Sequence, residues 1–199
     1  MDLIHYFLEF LGNPLLVLTE IIRDYGVYIY LFLFLVIFVE TGVVVMPLLP
    51  GDSLLFAVGL IASTTGQIDI YTVIPLLILA ALLGDNVNYF VGKKFGDFIQ
   101  SKEKILFLKK SHIEETERYF EENGGKTVIL ARFIPIVRTI APFVAGAGEM
   151  KYRTYLMYCI SGAILWVTSI TLLGYFLGNI EWVKIKNKKF VLGIVFVSI

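Results

Sequence analysis

Long apolar stretches alternate with short polar breaks along this chain, and two of the stretches are broken from within. Tyr25 to Ile61 is almost continuously apolar over 37 residues, well beyond the ~20 that one spanning helix needs. Glu40 lies inside it, Pro47, Pro50 and Gly51 interrupt it, and Asp52 follows at once. The pattern predicts a spanning helix to about Val45, then a re-entrant segment over about 46–66 that returns to the face it entered, closed by the polar group Ser63–Asp69. Ile70–Val91 reads as a second span, carrying Gly84-Asp85-Asn86 and closed by Gly92-Lys93-Lys94. Lys126–Met150 is apolar but interrupted again, by Arg132, Pro135, Arg138, Pro142 and Gly146, and predicts a second re-entrant segment over about 127–150. Tyr152–Leu177 reads as an unbroken span with Trp166 inside it.

The flanking segments are of other kinds. Residues 1–24 place Leu3, Tyr6, Phe7, Phe10 and Leu11 at helical spacing, with Asp2, His5 and Glu9 elsewhere and a break at Gly12-Asn13-Pro14. That pattern suits a pair of interfacial amphipathic helices, although the usual Lys/Arg enrichment is missing. The early acids make the N-terminus a poor signal peptide. The stretch 93–126 is polar and holds Lys93, Lys94, Lys102, Lys104, Lys109, Lys110, Arg118 and Lys126, so the positive-inside rule makes it a cytoplasmic loop. Ser111-His112-Ile113-Glu114 has capping-box spacing for a short helix through Glu122. Lys184, Lys186, Lys188 and Lys189 would then lie outside, against the same rule. Phe190–Ile199 holds ten apolar residues, ~15 Å of helix, so the last span is truncated or incomplete here.

Composition sharpens the class. The chain is 57% hydrophobic and 17% charged, against about 45–50% and about 25% in soluble domains, and its mean hydropathy is +0.79. This is the composition of an all-α polytopic membrane protein. The formal net charge is zero, which gives no reason to expect a nucleic-acid partner. One cysteine, Cys159, and two distant histidines, His5 and His112, leave no material for a disulfide framework, a thiolate or histidine metal centre, or a Ser-His-Asp triad. No cofactor is expected.

The two broken stretches carry opposite charge: Glu40 and Asp52 in one, Arg132 and Arg138 in the other. An odd number of crossings between them would make them enter from opposite faces, as inverted repeats do around a midplane transport site. Each ionisable residue costs roughly 2.5–3.5 kcal/mol at a helix centre, so four of them need each other or water. The plain alternative is that they only neutralise one another as packing. Buried ion pairs often stabilise less than apolar residues would, so keeping four charges points to use. Pro47, Pro50, Gly51, Pro135, Pro142 and Gly146 are read as the breaks that shape the hairpins. Asp85 is either a helix-helix hydrogen-bonding group or a secondary polar site. Cys159 reads as packing, Glu149 as interfacial, and Tyr152, Tyr155, Tyr158, Trp166 and Trp182 as belt or core.

These motifs together resemble the DedA family of bacterial membrane proteins, whose domain is also called the VTT or SNARE-associated domain. The resemblance rests on Glu40 with Pro47-x-x-Pro50-Gly51-Asp52, and on Gly84-Asp85-x-x-x-Tyr89-x-x-Gly92. It rests also on Arg132-Phe133-x-Pro135-x-x-Arg138-x-x-x-Pro142-x-x-Ala145-Gly146-x-x-x-Met150, and on Gly162-x-x-x-Trp166 with Gly174-Tyr175-x-x-Gly178. It covers about residues 25–199. It implies transmembrane helices around two opposed re-entrant hairpins in an inverted repeat, in the bacterial inner (cytoplasmic) membrane. It implies lipid transport, with undecaprenyl phosphate recycling as the leading expectation, and a tie to the proton-motive force.

On that reading the protein is a transporter and no enzyme. Arg132 and Arg138 would hold the phosphate head group, and Glu40 and Asp52 would balance charge or carry protons. A non-selective phospholipid scramblase and a proton-coupled ion or drug antiporter remain the alternatives. A homodimer is compatible with the sequence, which does not set the oligomeric state.

Overall fold

The computed structural model describes residues 24–43, 51–100, 132–148 and 150–179, with the isolated positions 18, 20, 22, 104, 105, 108, 109, 118 and 129. Five helices carry the architecture: α1 (Tyr28–Gly42), α2 (Gly51–Thr65), α3 (Ile70–Gln100), α4 (Pro135–Ala147) and α5 (Tyr152–Gly178). Among the described residues the only strands form a two-residue antiparallel ladder, β1 (Lys104–Ile105) with β2 (Leu108–Lys109), in the register Lys104 to Lys109. The interfacial helices expected over 1–24 and the short helix from Ser111 lie almost wholly outside the described residues. Glu149 and the lysines after Leu177 lie outside them too.

Two helices are long and apolar enough to cross a membrane, within Ile70–Lys94 and Tyr152–Gly178. Their burial pattern is inverted relative to a soluble protein. The inward stripe of α5 is Tyr155, Cys159, Ala163, Trp166, Val167 and Thr171, while Met157, Ile160, Ile164, Leu165, Leu173 and Phe176 face outward. In α3, Leu77, Ala80, Ala81, Asp85, Asn88 and Tyr89 are buried, and Leu79, Leu83, Val87 and Phe90 are exposed. Aliphatic side chains crowd the outside, while the inside mixes aromatic, small and polar groups. That arrangement is stable where the surroundings are hydrocarbon.

The shorter helices differ from these. α2 is buried from Ser53 to Ala62, as a helix apolar on all sides must be. α4 is buried from Arg138 to Gly146. They have 15 and 13 residues, or ~20–22 Å at 1.5 Å per residue, less than the ~30 Å of hydrocarbon.

The structure alters two expected boundaries. α3 continues past Val91 and Lys93-Lys94 to Gln100, because hydropathy marks where hydrocarbon ends, whereas backbone hydrogen bonds decide where a helix ends. α1 is a 15-residue helix ending at Gly42, ~22 Å long, where a complete span to about Val45 was expected. Just after α2, the Asp69 amide donates to the Tyr30 hydroxyl at 2.9 Å, so the chain returns along α2 to the level at which α1 starts.

The chain divides into two compact units: residues 1–36, 49–77 and 167–199 in the first, and residues 37–48 and 78–166 in the second. In the first, α2 lies on the end of α5 through small residues. A Cβ on Gly59 would fall 1.9 Å from the Thr171 carbonyl oxygen, one on Gly174 2.2 Å from that of Phe56, and one on Gly178 2.1 Å from Ser63 Oγ. Gly59-x-x-x-Ser63 and Gly174-x-x-x-Gly178 thus form a small-residue interface on both sides. The second unit repeats the device. A Cβ on Gly92 of α3 would fall 2.1 Å from the Phe143 carbonyl oxygen of α4, and one on Gly146 of α4 2.0 Å from that of Tyr89.

Candidate functional site

All four charged side chains of the buried site belong to the second unit. α1 contributes Glu40 on its inward stripe, one residue before Thr41, whose hydroxyl donates to the Ile37 carbonyl at 2.9 Å. α3 contributes Asp85 and, one turn on, Asn88. Arg132 sits in the turn before α4. Ile134 is extended (φ −115°, ψ 109°) and Pro135 opens the helix, as the steric demand of a proline on its predecessor requires. Arg138 follows one turn later. Glu40 and Asp85 are each 1% exposed, Arg132 3% and Arg138 6%.

These residues form two ion pairs. Arg138 Nη2 donates to Glu40 Oε1 at 2.6 Å. Its guanidinium carbon lies 4.7 Å from the centre of the Trp166 ring, within cation–π range. Arg132 Nη2 donates to Asp85 Oδ2, to the Cys159 carbonyl oxygen at 3.3 Å and to Cys159 Sγ at 3.4 Å. The Cys159 thiol donates to Asp85 Oδ2 at 3.5 Å, and the Tyr155 hydroxyl to the Asp85 backbone carbonyl at 3.0 Å. Arg132 Nε and Nη1 are buried and meet no acceptor among the described residues.

Neighbouring groups keep this arrangement in place. Asn88 Nδ2 donates to the Thr139 carbonyl at 2.7 Å and reaches that of Thr41 at 3.5 Å. Those carbonyls belong to the residues directly after Arg138 and Glu40, so one side chain ties α3 to both backbones that carry the pair. Gly162 leaves room for Arg132: a Cβ there would meet Arg132 Cδ and Nε at 2.9 Å. Tyr89 stacks on Tyr155 with centroids 4.4 Å apart and donates to the Met150 carbonyl at 2.6 Å.

Glu40, Arg132, Arg138 and Asp85, four residues singled out in the sequence, therefore converge. The carboxylate on Arg132 is that of Asp85. Asp52 stands half-buried in the first turn of α2, where a helix N-terminus favours a carboxylate. Gly51 opens α2, and Pro135 opens α4. Pro142 and Gly146, expected as breaks, lie inside α4. The proline removes one backbone hydrogen bond, and the helix continues because buried neighbours hold it. Gly146 is a crossing point. Pro47 and Pro50 lie outside the described residues.

Asn88, Cys159, Gly162 and Trp166 were not recognised as site residues from the sequence. A signal existed for each: Asn88 is three residues from Asp85, and Cys159, Gly162 and Trp166 recur at helical spacing on one face of α5. Among the described residues no cluster of three or more His, Cys, Asp or Glu side chains could hold a metal ion.

Outward-facing apolar helices around a buried, charged and hydrogen-bonded core define a helical membrane protein. The VTT domain model matches residues 49–176. The chain is 46% identical to Protein DedA of Escherichia coli K12 over all of this chain and 91% of that protein. It is 46% identical to an uncharacterized membrane protein of Mycobacterium leprae over 82% of this chain and 73% of the relative. It is 32% identical to inner membrane protein YqjA of Escherichia coli K12, over 76% of this chain and 68% of that protein. No solved structure matches. This chain belongs to the DedA family of membrane proteins.

Proposed function

We propose that the protein is a multi-pass transporter of the cytoplasmic membrane that carries a lipid phosphate across it, with undecaprenyl phosphate as the substrate. The observation that carries this reading is Arg132. Its Nη2 is held by Asp85 and Cys159, while Nε and Nη1, with three N–H bonds between them, are buried and have no acceptor among the described residues. A buried donor without an acceptor costs about 1–3 kcal/mol, and a phosphate monoester would supply charged acceptor oxygens at that place. Arg138, held by Glu40 and covered by Trp166, is the second head-group ligand. Glu40 balances the charge of Arg138. Asp52, at the start of α2, serves as a proton-carrying or charge-balancing group.

In this reading α1–α2 and the segment through α4 are the two re-entrant hairpins. Support comes from the short lengths of α2 and α4, from the return of Asp69 to Tyr30, and from the glycine crossing that each unit uses. The polyprenyl tail stays in lipid while the head group passes the arginines, and no bond is broken. Release of inorganic phosphate from a polyprenyl phosphate would count against it.

The test is translocation of undecaprenyl phosphate in proteoliposomes. Wild type moves it, Arg132→Ala and Arg138→Ala do not, and Arg→Lys at either site loses much of the rate because a point charge cannot replace a planar fork. Full translocation by either alanine variant overturns the assignment. Equal movement of phosphatidylethanolamine would make the protein a non-selective scramblase instead.

A further inference from the structure

We infer that Asp85 is the counter-charge which an incoming phosphate displaces from Arg132, and that Asp85 takes up a proton from solution when it does so. The inference rests on the head-group reading of Arg132 above and adds to it the acid that answers for proton uptake.

Arg132 is matched by Asp85 and Arg138 by Glu40, so these two pairs carry no net charge. A phosphate monoester brings one or two negative charges into a place where uncompensated charge is strongly disfavoured. For the monoanion, neutrality returns when one carboxylate takes up a proton.

Geometry selects which one. Two buried donors of Arg132, Nε and Nη1, meet no acceptor among the described residues, so the phosphate would share that guanidinium with the Asp85 carboxylate. Two anions so close cannot both stay ionised without penalty, and the weaker acid protonates. Glu40 is bonded to a different guanidinium, that of Arg138.

The groups around Asp85 suit this exchange. From the turn before α4 it faces Arg132, and from α5 the Cys159 thiol and the Tyr155 hydroxyl, the latter on its backbone carbonyl. Arg138 of α4 acts on it electrostatically, and Glu40 of α1 is engaged with Arg138. The Cys159 carbonyl, 3.3 Å from Nη2, keeps a hold on Arg132 once Asp85 is neutral. The step balances simply: one proton from solution converts the Asp85 carboxylate to the acid, and the phosphate takes over as the anion on Arg132. Head-group binding is then stronger on the more acidic side of the membrane, and release stronger on the more alkaline side.

The probe is farnesyl monophosphate, with farnesol as the uncharged control, titrated into the purified full chain in detergent. Calorimetry in buffers of different ionisation heat gives the protons taken up per ligand bound. At about pH 5 the phosphate is already a monoanion, its second pKa being about 6, so uptake reports on the protein. Wild type and Asp85→Glu should take up about one proton per head group, with affinity falling about tenfold per pH unit as pH rises. Asp85→Asn should bind with that proton missing and with a flatter pH dependence. Wild-type binding with no proton uptake overturns the inference even if Asp85→Asn fails to fold, as does unchanged uptake in a folded Asp85→Asn. Neither of these results touches the head-group reading. Failure of wild type to bind the phosphate at all overturns both.

Discussion

Removing either member of the Asp85–Arg132 pair should destabilise the protein severely, and removing both should not. Both side chains are nearly sealed, with 2% and 4% of their surface exposed, so solvent cannot screen the charge left behind. Breaking a buried pair from one side costs about 3–5 kcal/mol, whereas replacing both partners by apolar residues of similar size is often close to neutral. We therefore expect Asp85→Leu and Arg132→Met each to lose about 3–5 kcal/mol and the double variant to lose less than either. For a chain of this length that is a fall in Tm of roughly 6–20 °C for each single variant. The sole cysteine, Cys159, is buried, so a thiol-reactive fluorogenic dye reports unfolding in detergent, with circular dichroism as the independent check. The three variants and wild type complete a double-mutant cycle. If the single losses simply add, the residues are not coupled, and the reasoning about this core is wrong.

Three further outcomes are expected. Gly146→Ala would place a Cβ 2.0 Å from the Tyr89 carbonyl oxygen. The resulting strain of up to ~3 kcal/mol exceeds the ~1 kcal/mol gained in helix propensity, and a Tm unchanged or raised would contradict the crossing. Gly162→Val would push on Arg132 Cδ and Nε, both 2.9 Å from the new Cβ. It should weaken farnesyl monophosphate binding by about tenfold, ~1.4 kcal/mol, measured by titration against wild type. Asp69 caps α3, accepting from the Thr72 hydroxyl and from the amides of Tyr71 and Thr72 at 3.2 and 3.1 Å. The Thr72 hydroxyl bond leads in holding its pKa below the ordinary 3.8. Its stabilising effect is thus complete above about pH 3.8 and is lost as pH falls through the lower folded value. Hydrogen exchange in the first turn of α3 should quicken over that interval in wild type, while Asp69→Ala should exchange fast throughout.

Much of the site was legible in advance because charge in an apolar stretch stands out. Glu40, Arg132 and Arg138 were visible as anomalies, and the demand that they be neutralised followed from the cost of burying them. The pairing was not legible. Asp52 and Asp85 are equally available in a linear reading, and Asp85 meets Arg132 only because α3 packs with the turn before α4. Spacing put Asn88 and Gly162 on faces shared with site residues, but their roles, an amide bonding to two distant carbonyls and a hydrogen atom leaving room for a guanidinium, are set by neighbours far off in sequence.

The sequence by itself determined that this is a helical membrane protein, where its two long apolar helices lie, and that Gly51 and Pro135 mark new helices. Those features follow from hydropathy, from helical period and from the fixed φ of proline, all local properties. Tertiary structure decided the rest. α4 runs through Pro142 and Gly146 because buried neighbours hold a helix that one lost hydrogen bond does not break. α1 ends at Gly42, and the chain comes back to Tyr30, which no count of apolar residues reports. Four charges became two specific pairs, leaving Arg132 with open donors, because electrostatic partners are chosen by distance in space.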